Sequence, residues 1–188
     1  FIIIKGDYMN FKKTYSNYLA LINIVIFGLI FIYDPSLSTN TLIKFGAKSN
    51  FKIVDFELFR LLTPMFLHVN FYHILFNSLA LYIIGNQVET FFGKRKFLLI
   101  YFISGILGTM GSFITNDFVA AGASAGIFGL MGTHVYLFLY NRDGYRRYFG
   151  NDFLFLIGIN VVYGVLNPSI DNAAHLFSLI GGLIVTLF

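Results

Sequence analysis

The chain has 188 residues, of which 57% are hydrophobic and only 12% charged, about half the charged share of a soluble domain. Too few polar side chains are available to coat a water-facing surface, and the apolar residues come in long runs, so these totals exclude an ordinary soluble globule and point to the lipid bilayer. The absence of cysteine excludes disulfides, a thiol nucleophile and thiolate-bound metal, and the net charge of +4 comes from short basic clusters between apolar runs, as membrane topology requires and nucleic-acid binding does not.

In chain order, residues 1–14 form a lead segment ahead of the first apolar run, 15–33. Lys12 and Lys13 precede that run as they would a signal peptide, but Tyr33-Asp34-Pro35 follows it in place of a small-residue cleavage site, so a retained helix is expected. Residues 34–70 are polar, contain Pro35 and Pro64, and are too long for a simple turn; structure of their own is expected there. Five more apolar segments follow at 71–85, 97–113, 124–140, 153–166 and 173–188. Several fall short of the ~20 residues of an ideal span, which suits a protein that thins the bilayer locally. There is no repeat and no second domain. The expectation is one all-α, polytopic membrane domain over 1–188, a bundle of six transmembrane helices. With the N-terminus inside, nine lysines and arginines lie on inner segments and four on outer ones. This positive-inside bias orients the chain in the cell membrane with a cytoplasmic N-terminus, so the second, fourth and sixth segments run inward.

Those three segments carry polar residues at one depth, a turn or two below the outer surface. His73 and Asn77 open the second, Ser124 the fourth and His175 the sixth. Polar groups inside a membrane are costly unless partnered, and three at one level suggest a shared site. His73 and Asn77, four apart, share one helix face; taken alone, that pair reads equally well as glue between helices. Ser124 lies among small residues at a helix start, where free backbone N–H groups can hold an oxyanion. The Gly-x-Ser-x-Gly pattern around it is weak evidence by itself. His175 is the candidate base that a serine nucleophile needs. Ala174, Ser178 and Gly182 make a small-residue face on the sixth segment, and Gly122, Gly126 and Gly129 make one on the fourth; two such faces can pack with backbones close together. An ideal helix would aim Ser124 away from those glycines, so the contact requires Ser124 at an irregular first turn.

His134 lies ten residues beyond Ser124, roughly 15 Å along a helix, and is expected to be a packing residue. His68, in the loop before the second segment, either supports the site or is solvated. No His-Glu-x-x-His pattern exists and Glu89 lies at the far end of the second segment, so neither a metal nor another cofactor is expected.

Taken together these residues resemble the rhomboid family of intramembrane serine proteases. The resemblance runs from Phe59 to Gly182 and rests on His68-x4-His73-Ile74-Leu75-Phe76-Asn77, on Gly122-Ala123-Ser124 with Ile127-Phe128-Gly129-Leu130, and on Ala174-His175 with Gly182. It implies hydrolysis of peptide bonds in or near transmembrane segments of other membrane proteins, with Ser124 as nucleophile and His175 as base in a dyad without aspartate. His73, Asn77 and the Ser124 N–H would form the oxyanion hole, Phe128 would stack on His175, and Gly122 and His68 would support the site, all towards the outer face. Arg60 and Glu89 fall at structural polar positions of the family, the long first loop would lie partly in the outer leaflet, and the fifth segment would act as a side gate. Phe59 stands where the family has a tryptophan, Ser178 replaces a common glycine, and the alanine and glycine after Ser124 are in swapped order; none removes a reacting group. A non-catalytic relative that binds transmembrane helices would be expected to lose Ser124 or His175. A transporter or channel would line a whole face with polar residues, whereas the inner halves of the fourth and sixth segments are mostly apolar.

Overall fold

The computed structural model describes residues 14–150, 152–168 and 170–188; most of the lead segment lies outside them. Nine α-helices cover most of the described chain: α1 (Tyr15–Tyr33), α2 (Thr39–Lys44), α3 (Asn50–Val54), α4 (Phe71–Ala80), α5 (Asn86–Thr115), α6 (Ser124–Tyr140), α7 (Arg142–Phe149), α8 (Asp152–Leu166) and α9 (Asn172–Thr186). Among the described residues there is no β-sheet, only an antiparallel bridge between Lys48 and Ala120. By length and apolarity two helical runs suffice to cross a membrane, Tyr15–Tyr33 and the 45-residue Phe71–Thr115; α6 and α9 are apolar but shorter.

The expected second and third segments are joined as one 45-residue helical run with a kink at Gly93. A π-helical turn at Leu81–Gly85 joins α4 to α5 without a break. At this turn the Ser16 hydroxyl of α1 donates to the Leu81 carbonyl at 2.6 Å, competing for an oxygen that a regular turn would use. The reversal comes instead at Gly93, with φ +80° and ψ 166°, a backbone state that glycine adopts at little cost. The chain doubles back there, since a Cβ on Gly85 would lie 3.4 Å from the Phe97 ring, although twelve residues of straight helix span about 18 Å.

Small residues hold the centre together. In lipid, close backbone approach replaces the hydrophobic effect as the source of packing energy. A Cβ on Gly182 of α9 would run into the Gly129 carbonyl of α6, and one on Gly132 of α6 would run into the Leu179 carbonyl of α9. The expected α6–α9 seam is therefore present, but it is shorter than the sequence pattern suggests. Ser178 and the Ala174 carbonyl press on Gly108 of α5, while Gly126 faces Tyr101 and Met65. The third partner is thus the small face of α5, Ser104, Gly105, Gly108, Gly111 and Ser112, all buried.

Two buried charges tie the periphery to this core. Glu89 accepts from the Tyr15 and Ser16 N–H groups at 3.0 and 2.9 Å, placing a carboxylate on the positive end of α1. Arg60 donates to the Ile43 and Ala47 carbonyls at 2.7 and 3.0 Å and grips Glu57. Arg60 thereby organises the 34–70 connection, which contains α2, α3 and the two 3-10 turns Leu58–Leu61 and Thr63–Phe66. Gly182→Ala is expected to lower stability by about 1–3 kcal/mol, because the added methyl meets backbone rather than a movable side chain; thermal unfolding in detergent micelles measures it.

Candidate active site

The chain approaching α6 is fixed from three sides. Lys48 and Ala120 exchange backbone bonds at 2.9 and 3.3 Å, and the Gly122 N–H donates to the Pro64 carbonyl at 2.8 Å. The Ala123 N–H points at His68 Nε2, 3.5 Å away, so the buried His68 belongs to the support of this turn and not to solvent. Gly122 has φ +145°, and a Cβ there would sit 2.6 Å from His73 Cε1; glycine is required on both counts. After this bend Ser124 is the first residue of α6. Ser124 therefore lies at the start of the first turn, and the irregular backbone precedes it at Gly122.

That turn brings Ser124 Oγ within 3.0 Å of His175 Nε2. Ser124 comes from the start of α6 and His175 from the first turn of α9, fifty-one residues later. Phe128, one turn below Ser124, lies flat on the His175 ring with centroids 3.9 Å apart and planes 9° apart. The imidazole is thus held by a stack on its face and a hydroxyl at its edge. With the proton on Nδ1, Nε2 is free to accept from Oγ–H.

The second histidine is adjacent. The His73 ring abuts Gly122 Cα, in the space that a Cβ there would occupy, and meets His68 edge-on at 5.1 Å. Asn70 caps α4 by accepting from the His73 N–H at 2.8 Å. Asn77 follows one turn on, buried, with its Nδ2 donor unpaired among the described residues. One end of the bundle therefore gathers a hydroxyl bonded to an imidazole, a second imidazole, a spare amide donor and the open N–H groups of a helix start. Such an arrangement can generate a serine nucleophile and hold the oxyanion it produces.

Residues 55–188 match the family model of the rhomboid domain. The chain belongs to the rhomboid family. Among its rhomboid relatives are the rhomboid protease GluP of Bacillus subtilis strain 168, 41% identical over 93% of this chain and 34% of GluP, and two Arabidopsis thaliana proteins. RHOMBOID-like protein 2 is 37% identical over 80% of this chain and 48% of its own length; RHOMBOID-like protein 1 is 36% identical over 79% and 39%. The chain spans between a third and a half of these relatives.

His134 is fully buried elsewhere in the rhomboid domain, 4.0 Å from the Phe153 ring and against Phe149 and Tyr145, a packing position as expected. Asp171, not among the residues that the sequence singles out, caps α9 by accepting from the Ala174 N–H through its carboxylate at 3.0 Å. An aspartate just ahead of an apolar helical run is a start signal that could have found it. Gly122→Ala is expected to push His73 aside and strain the bend, lowering the rate at which a fluorophosphonate probe modifies Ser124 by about 100-fold, the scale of a 1 Å misplacement.

Proposed function

We propose that this chain is an intramembrane serine protease that cleaves peptide bonds in or near the transmembrane segments of other membrane proteins. The observation that carries this reading is the Ser124–His175 hydrogen bond between two separate helices, with the imidazole clamped by Phe128. Membership of a family with protease-named relatives supports it.

The geometry supports the following course of reaction. Ser124 Oγ attacks the scissile carbonyl carbon while Nε2 of His175 takes the hydroxyl proton. The new oxyanion accepts from the Ser124 N–H, Asn77 Nδ2 and His73, donors fixed before the charge develops. Collapse breaks the C–N bond, His175 returns its proton to the leaving amine, and an ester to Ser124 remains. Water, deprotonated by His175, hydrolyses that ester and restores both side chains. The side-chain amide of Asn77 donates to no described group, which suits a donor reserved for the oxyanion.

In this reading six helical segments cross the bilayer: α1, the two arms on either side of Gly93, α6, α8 and α9. The Ser124 end faces outward and the N-terminus is cytoplasmic. The basic residues support that orientation. Lys94, Arg95 and Lys96 follow the Gly93 turn, and Arg142, Arg146 and Arg147 lie on α7, which meets Phe91 ahead of that turn through the Tyr148 and Phe149 rings. Both clusters sit at the end away from Ser124, as the positive-inside rule requires.

Wild type is expected to cleave a tagged single-span reporter and to be labelled by the fluorophosphonate probe. Ser124→Ala and His175→Ala, with unchanged unfolding temperatures, should each lose at least about 1,000-fold in cleavage rate. Cleavage that persists in Ser124→Ala would overturn the reading. A wild type that takes no label but still co-purifies with the uncut reporter would make the chain a helix-binding protein.

A further inference from the structure

A second polar cluster lies beside the Ser124–His175 pair, and no step of the proposed reaction uses it. At its centre is Lys48, from the 34–70 connection, which is fully buried. A buried ammonium is costly unless its charge and its donors find partners. Lys48 Nζ donates to the Asn116 carbonyl at 2.9 Å and, at 3.4 Å, to the Ser112 carbonyl and Asn116 Oδ1. These oxygens close the C-terminal end of α5, where a cation is favoured. Burial pushes the ammonium below its ordinary value, while Asp171 and Asp117 pull it back up.

The same Asn116 turns its other amide atom to α9. Asn116 Nδ2 donates to Asp171 Oδ1 at 3.0 Å, and the Ser112 hydroxyl donates to Asp171 Oδ2. Asp171 in turn accepts from the Ala174 N–H through its carboxylate and from the His175 N–H through its carbonyl, at 3.0 and 3.2 Å. Asp171 is thus joined to the end of α5 by two bonds and to the first turn of α9 by two more. An ordinary N-cap needs only the Ala174 bond; the bonds to α5 tie this cap to the neighbouring helix. They fix how deep and at what rotation α9 presents the His175 ring to Ser124.

We propose that Asp171 is a positioning residue for His175, anchored through Ser112 and Asn116 to the buried Lys48 and the end of α5. This inference rests on the proposed reaction. The cluster sets the direction of Nε2 towards Oγ, while substrate contacts are made elsewhere. Losing it should therefore lower kcat and leave KM in place, because a small tilt of the base weakens proton transfer more than it weakens binding.

The test uses the full chain in proteoliposomes with the single-span reporter. Asp171→Ala should lower kcat and the fluorophosphonate labelling rate by about tenfold, with KM within about twofold, a partial misplacement on the scale that orientation effects reach. Asp171→Asn keeps a capping oxygen and an amide that can pair with Ser112, and should restore most of both rates. Ser112→Ala removes one tie and leaves the cap, so it reads the same effect at about threefold even where Asp171→Ala folds poorly. Labelling rates in Asp171→Ala and Ser112→Ala equal to wild type would overturn the inference while leaving the protease reading intact. So would losses that track unfolding temperature and are not rescued by Asn. A wild type that takes no label at all would overturn both.

Discussion

The arrangement depends on backbone contact between α6 and α9. Gly182 of α9 meets the Gly129 carbonyl, and Gly132 of α6 meets the Leu179 carbonyl. No side chain intervenes, so the two helices have little freedom to slide or separate. Ser124 lies five residues ahead of Gly129 and His175 seven ahead of Gly182, about 8 and 11 Å along the two axes. Both side chains therefore stand a short distance above a rigid crossing. A 3.0 Å bond between two helices is dependable only where such a fulcrum lies close to it, since a lever magnifies any looseness at its pivot.

What lies above the crossing converts a common polar pair into a defined geometry. Phe128 fixes the plane of the imidazole, and the bend at Gly122 delivers Ser124 at the very start of α6. Pro64 and His68 hold that bend from the preceding connection, and His73 holds it from α4. The 34–70 stretch is thus part of the site's foundation. Its buried Arg60, bonded to the Ile43 carbonyl of α2 and to the Ala47 carbonyl just after it, gives an otherwise irregular stretch the internal bonding of a packed element.

Much of this was legible in the sequence because bilayer depth is a strong coordinate. Once segments 71–85, 124–140 and 173–188 are laid parallel, His73, Ser124 and His175 must share a level, and no periodicity argument is needed to bring them together. The local conflict at Ser124 was also legible: its helix face is wrong for an ideal helix, and the positive φ of Gly122 resolves it. Less could be read about which neighbour each small face selects. Four-residue spacing says that Ala174, Ser178 and Gly182 share a side; it does not say that Ser178 packs on α5 while Gly182 packs on α6. Lys48 was indistinguishable from the solvated lysines around it, since burial of a loop cation is decided by distant partners, here Ser112 and Asn116. The continuity of α4 into α5 was hidden as well, because the π-turn that joins them meets a partner, Ser16, sixty-five residues earlier.

The Glu89 cap on α1 makes the bundle mechanically lopsided. Moving α1 outward would strip a buried carboxylate of two N–H partners, a penalty far above that of parting apolar surfaces. Among the described residues, α8 shows no carboxylate cap of this kind. Most of α8 is exposed along its length, with Phe155, Val162, Tyr163, Val165 and Leu166 all more than half uncovered. Its described polar tie to α9 is the bond from Asn172 Nδ2 to the Gly164 carbonyl. Parting α8 from α9 would cost that one described bond and apolar contact, whereas parting α1 would leave the Glu89 carboxylate without its two N–H partners.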